Sequence, residues 1–409
     1  SYAPEMSDRP LSIFDDGSFA PCPGKFNIAA HTFAAGAKDS DKIALEVLTS
    51  PGNVAERWTY ASLIDAVQRT AGGLAARGLK RGDRIMLRLG NTSDFPILFF
   101  AANGLGAIPV PTSPLLTSSE TATILADLQP KLVALGPDLS LPETTKQQVL
   151  RAKDIVELRA SPALDFVGTS SEDPAFMVYT SGSVGGPKGV VHAQRSAWAR
   201  RMMWDGWYGL TERDRVLHAG AFNWTYTLGA GLTDPWARCA TALIYGGPPN
   251  RTVWPKLALA HDATIFAAAP GVYRQMLDAG EAALKEGFAN LRHGLSAGET
   301  LAEAVRAQWS AATGKPIFEA LGMSEISTYI SARPGAPAPD GSVGWPQPGR
   351  RVAVLDEASR EPVPCEEDGL LAVAQRDPGL MLGYWKRADE TKAAFSGEWF
   401  LTGDRARMR

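Results

Sequence analysis

The chain has 409 residues, 45% of them apolar and 21% charged, a balance typical of a globular protein with room for more than one core. A net charge of −3 and a pI near 6.0, with no basic stripe, argue against nucleic acid as the main partner. Cys22, Cys239 and Cys365 lie far apart without a C-x-x-C, which excludes a disulfide framework or zinc site from the expectations and points to a reducing, cytoplasmic setting.

In chain order, residues 1–24 carry Asp8, Asp15 and Asp16 and lack the apolar stretch of a secretory signal. From about residue 40, short β-rich runs (43–48, 84–89) alternate with helical patterns (59–77, 94–105), the signature of parallel sheets covered by helices. Thr59 reads as an N-cap and Gly78 as the residue that ends the first long helix. The most apolar stretch, 95–111, is too short to cross a bilayer and reads as a buried helix and strand, so no membrane span is expected. After a glycine-rich turn at 180–189, strands are expected near Val216, Ala242, Thr264, Leu291 and Ile317. Helices are expected near Ser196, Leu228, Trp254, Val272 and Ala302. Beyond about Ser331 the texture changes to Pro/Gly-rich turns with brief strands at 351–355, 369–374 and 399–401, a smaller β unit. His31, His192, His218, His261 and His293 show no metal-ligand spacing.

The turn is the most informative segment. Thr180, Ser181 and Ser183 offer hydroxyls, Gly182, Gly185, Gly186 and Gly189 let backbone N–H groups approach an anion, and Lys188 adds positive charge. A Gly/Ser surface hairpin would need neither the hydroxyls nor the lysine. A Walker A loop requires Gly before and Ser or Thr after its lysine, where this chain has Pro187 and Gly189; the glycine spacing also fails G-x-G-x-x-G.

The string resembles the phosphate-binding signature of the adenylate-forming superfamily: acyl-CoA synthetases, aryl-CoA ligases, luciferases and the adenylation domains of peptide synthetases. Val184 departs from it, since the family usually has a third hydroxyl there. Other segments resemble the same family. Ser296-Ala297-Gly298-Glu299, read as following a strand and opening a helix, corresponds to a turn that lines the adenine and acyl pockets. Glu319-Ala320-Leu321-Gly322-Met323-Ser324-Glu325 is similar to the Tyr-Gly-x-Thr-Glu segment, with Leu321 replacing the aromatic beside adenine, Ser324 keeping a hydroxyl for the α-phosphate and Glu325 placed to hold Mg2+. Thr402-Gly403-Asp404, preceded by Gly383-Tyr384-Trp385 and Trp399-Phe400-Leu401, resembles the ribose-binding triplet, with Asp404 accepting from both hydroxyls. The early match is Phe26-Asn27-Ile28-Ala29. His218, Phe222, Trp224, Thr225, Tyr226 and Gly229, with Gly298 and Ala269-Pro270-Gly271-Val272-Tyr273, point to the benzoate-CoA ligase and medium-chain acyl-CoA synthetase branches; the same aromatic density also suits a plain core.

The resemblance implies an α/β fold. Residues 1–330 are expected to form two layered α/β subdomains with mainly parallel sheets and the ATP and acyl site at their interface. A small β-rich subdomain is expected at 331–403, with 404–409 starting a connection to a C-terminal lid that is not represented here. It implies a ligase that uses ATP and Mg2+ to join a small carboxylic acid to coenzyme A, with Lys188, Ser324 and Glu325 in the catalytic roles and poor turnover without the lid. A carrier-protein-loading adenylation domain and a non-catalytic acyl-adenylate sensor, the latter suggested by Val184 and Leu321, remain the alternatives. Whether the chain forms a homodimer is left open.

Overall fold

The computed structural model describes residues 9–180 and 185–409. Six parallel strands form the centre of a nine-stranded sheet, in the spatial order Ile43–Ser50, Thr241–Tyr245, Arg215–His218, Ile265–Ala268, His293–Ser296 and Ile317–Met323. Antiparallel strands extend it at both edges, Asn53–Thr59 on one side and Ser327–Ser331 followed by Trp345–Pro346 on the other. Strands such as Thr241–Tyr245 and Ile265–Ala268 are buried along their whole length, because helices cover both faces.

A second parallel sheet orders Ile108–Pro111, Arg84–Arg88, Leu132–Leu135 and Gln148–Leu150. Beside its Ile108–Pro111 strand packs the antiparallel hairpin Pro174–Tyr179 and Gly189–Ala193, which carries the glycine-rich turn. A third sheet is antiparallel, in the order Ile13–Asp15, Arg351–Leu355, Asp368–Ala374, Trp399–Arg407 and Phe395–Ser396. The pairing does not stop at residue 403: Arg405, Ala406 and Arg407 lie opposite Leu370, Gly369 and Asp368.

Local signals explain the helices. Thr59 caps Tyr60–Ala76 by accepting from the Ser62 N–H, Ser62 returns the bond, and Gly78 follows with φ +88°. Helix Asp94–Gly104 is buried on all sides, which fits its uniformly apolar sequence. Its one amide, Asn103, is fully satisfied: it accepts from Ala29 N (2.9 Å) and donates to Ala175 O (3.2 Å) and Gln194 Oε1 (3.2 Å). Asn27 of the early motif caps helix Ile28–Ala34 and reaches Asn103 O, so that motif is structural. One expectation fails. Gly298 and Glu299 do not open a helix; the chain runs on as a turn, with Gly298 at φ +104° and Glu319 binding the Leu301 N–H (2.6 Å), and the helix starts at Glu303. Among the described residues no helix is long and apolar enough to cross a membrane.

Candidate active site

The hairpin closes the neck of the glycine-rich turn with two bonds: Thr180 N donates to Lys188 O (2.9 Å), and Lys188 N donates to Thr180 Oγ1 (3.3 Å). Gly185 and Gly186 sit at φ +91° and +88°, where L side chains are strained, and among the described residues nothing lies within 4 Å of a Cβ built on either. Neither glycine is there to make room for a neighbour; the left-handed backbone is what calls for it. Gly189 sits in a tighter place, where a Cβ would meet the movable end of Met177 at 2.7 Å and Trp385 Cβ at 3.1 Å. Ser181, Gly182, Ser183 and Val184 lie outside the described residues.

Ser324 and Glu325 form the turn between the antiparallel strands Ile317–Met323 and Ser327–Ser331, after a register slip at Leu321/Gly322. Three contacts fix this turn to the hairpin. His192, on the strand leaving the loop, donates from Nε2 to Ser324 O (2.7 Å) and stacks on Phe176 at 4.9 Å. Burial lowers its pKa to about 4, so the imidazole is neutral at physiological pH. Strand Gly383–Tyr384 pairs with Val190 and Val191 and aims the Tyr384 hydroxyl at Glu325 Oε1 (2.7 Å). Burial and that carboxylate push the phenol up. Met381 N also binds Glu325 O (2.8 Å). Lys188 Nζ pairs with Glu390 Oε2 (2.7 Å) and lies 5.0 Å from the Tyr384 ring centroid.

These elements border a cleft of about 680 Å³, lined by Thr180, Gly186, Pro187, Ser324, Asn223 and Trp224 among others, a size suited to small-molecule ligands. Trp224 forms its aromatic wall. A Cβ at Gly298 would meet the indole at 2.6 Å, so glycine at 298 is what allows Trp224 to lie flat there, stacked on Tyr226 at 5.3 Å. Behind them His218 is buried between Phe222 and Tyr226, each 5.7 Å away, and neither ring nitrogen has a hydrogen-bond partner. Burial alone takes its pKa to about 3.

Thr225 and Gly229 face a different space, an inner void of about 30 Å³ that His192 and Arg200 also line. The Arg200 guanidinium occupies the position a Cβ at 229 would need. It binds Asp234 (2.9 Å), Ser327 Oγ (2.8 Å) and Tyr208 OH (3.0 Å), while Tyr208 donates to Asp234 (2.6 Å). Nothing local signals this ion pair, because Arg200, between two short helices, and Asp234, at the start of another, are 34 residues apart and share no pattern.

The remaining candidates divide. Ala297 and Ala320 are buried, Glu299 is exposed, Met323 packs partly against the core, and Gly322 fits under Ser327 O, 2.3 Å from where its Cβ would stand. Glu319 is committed to Leu301 N and Arg306. Leu321 and Asp404 share a second cavity of about 600 Å³, the first contributing apolar surface and the second a carboxylate. No group of three or more His, Cys, Asp or Glu side chains suited to a metal occurs among the described residues. Glu325, buried and engaged through Oε1 by Tyr384, is a lone hard-oxygen donor. That suits Mg2+, which commonly takes one or two protein carboxylates and completes its shell with phosphate and water.

Layered parallel sheets, a glycine-rich hairpin turn and a carboxylate-bearing turn beside an aromatic wall match what the resemblance to adenylate-forming enzymes implies. The model of the family described as AMP-binding enzyme matches residues 32–385, and the chain belongs to that family. It is 31% identical to the benzoate–CoA ligase of Thauera aromatica, over 97% of this chain and 77% of that relative. It is 29% identical to the 3-hydroxybenzoate–CoA ligase of Aromatoleum sp. (strain CIB), over 85% and 69%. The crystal structure of a benzoate CoA ligase from Burkholderia xenovorans LB400 superposes with a TM-score of 0.82 at 27% identity, covering 93% of this chain and 77% of that one.

Proposed function

We propose that the protein is an AMP-forming acid–thiol ligase that activates a carboxylic acid with ATP and transfers the acyl group to coenzyme A, the acid being aromatic or of medium chain length. One observation carries this reading: Thr180 and Ser324, the hydroxyl residues proposed to contact phosphate, line the same cleft as Trp224. A carboxylate oxygen attacks the α-phosphorus and pyrophosphate leaves; the thiol sulfur then attacks the acyl carbon and AMP leaves. No side-chain nucleophile is required, so the chain's task is positioning and charge neutralisation. Backbone N–H groups of the turn and the hydroxyls of Thr180 and Ser324 orient phosphate, Trp224 with Tyr226 shapes the acid pocket, and Asp404, in the separate cavity it shares with Leu321, is the candidate for ribose. Glu325 would hold Mg2+, which would supply charge neutralisation on the phosphates. The relatives named for benzoate and 3-hydroxybenzoate favour an aromatic acid. Free Cys22, Cys239 and Cys365 suit a reducing cytoplasm.

The test is a panel of benzoate, hydroxybenzoates, aminobenzoates and medium-chain acids with ATP, Mg2+ and coenzyme A, reading AMP release and thioester together. AMP release with an aromatic acid supports the proposal. Acid-dependent pyrophosphate exchange without transfer to coenzyme A would favour a carrier-protein acceptor. No nucleotide chemistry with any acid would sink the ligase reading.

A further inference from the structure

Gly186 and Pro187 line the cleft, yet the next residue carries its ammonium to a carboxylate: Lys188 Nζ lies 2.7 Å from Glu390 Oε2. Glu390 stands in the first turn of helix Ala388–Ala393, where negative charge is favoured, and its Oε1 simultaneously takes Arg387 Nη1 at 2.9 Å. The same short segment sends the Tyr384 hydroxyl to Glu325 and lays the Tyr384 ring 5.0 Å from the Lys188 ammonium. Residues 384–390 therefore engage both charged groups assigned to the triphosphate and its metal.

We propose that Glu390 is a resident counter-anion for Lys188 that competes with nucleotide phosphate and so sets the affinity for ATP. The inference rests on the reading of the cleft as an ATP site. The pair is built to yield. Side-chain exposure of 23% for Lys188 and 41% for Glu390 leaves it open to solvent and salt, and exposed pairs of this kind are weak. A triphosphate brings several charges against one. When Lys188 leaves, Glu390 keeps Arg387 and is not stranded. Nucleotide binding thus exchanges one counter-anion for a stronger one.

The test is the dissociation constant of ATP, and of inorganic tripolyphosphate, measured by calorimetry on the full chain and on Glu390→Gln. Removing the competing charge should tighten both by about two- to fivefold, the range expected for an exposed ion pair. The gain should shrink at high ionic strength. Asp389→Asn, which removes a charge one residue away, should change neither constant, and Glu390→Gln should have no effect in a Lys188→Met background. Weaker or unchanged binding in Glu390→Gln would overturn the proposal, as would equal tightening in Lys188→Met. ATP binding by the unaltered chain tests the ATP site itself; should that fail, the tripolyphosphate arm still reports whether Glu390 competes at the turn.

Discussion

The two ends of the cleft are organised by different physics. At the phosphate end, each group that the resemblance assigns a task is held by a directed contact: Lys188 by Glu390, Glu325 by Tyr384, Ser324 O by His192. At the aromatic end the groups are held by shape. His218 has no hydrogen-bond partner at either nitrogen, and Trp224 is placed by the missing side chain of Gly298. Electrostatic preorganisation needs fixed dipoles, whereas an apolar pocket needs only complementary volume. Substitutions at the two ends should therefore separate into nucleotide effects and acid effects.

The largest effect is expected at the phosphate end. Glu325→Gln keeps the bond to Tyr384 but loses the charge proposed to hold Mg2+, and turnover should fall by about 10²- to 10³-fold, with a raised Mg2+ requirement and little change in the KM for acid. An equal loss of acid affinity would break the division. Next in size is the response to pH, which probes both ends at once. His192 and His218 have folded pKa values of about 4 and 3, below the ordinary 6.5, so the unfolded chain binds more protons in between and stability falls as pH drops below 6.5. Urea unfolding should show a loss of about 2 kcal/mol for each histidine between pH 7 and pH 5. A flat profile would mean that neither imidazole is buried in its neutral form.

Smaller still, Gly186→Ala forces a side chain into a left-handed conformation that strains the backbone, although no described residue stands within 4 Å of the new Cβ. About 1 kcal/mol of strain should weaken ATP binding several-fold while leaving acid binding unchanged, measured by calorimetry with each ligand. The smallest effect sharpens the comparison from the other side. His218→Leu removes two unsatisfied buried nitrogens, so stability at pH 7 should rise by about 1 kcal/mol while the KM for acid increases, and the acid-induced loss, to which His31 and His293 also contribute, should shrink by about 2 kcal/mol between pH 7 and pH 5. Lower stability at pH 7 would show that the imidazole is satisfied in solution.

Much of this arrangement is visible in local sequence. Thr59 and Gly78 bracket a helix because capping and positive φ are properties of a few neighbouring residues. The parallel strands announce themselves as apolar runs between helical patterns, and the loop through its glycines, hydroxyls and lysine. What escapes is short and long-range. Ile13–Asp15 and Gly383–Tyr384 are three and two residues long, too brief for periodicity, yet one joins the β-rich sheet and the other braces the phosphate hairpin. Arg200 and Asp234 find each other only through the fold, and His192 stood in the sequence as one histidine without metal spacing. Glu319 shows the converse: a carboxylate beside the recognised turn that the structure spends on a backbone N–H.

The brace at Gly383–Tyr384 also bears on biogenesis. A ribosome delivers the hairpin of Pro174–Tyr179 and Gly189–Ala193 long before the strand that flanks it, so the nascent chain carries that hairpin with an open sheet edge until Gly383–Tyr384 emerges. On the proposed reading of the hairpin, nucleotide competence is therefore acquired late, only when distant parts of the polypeptide meet.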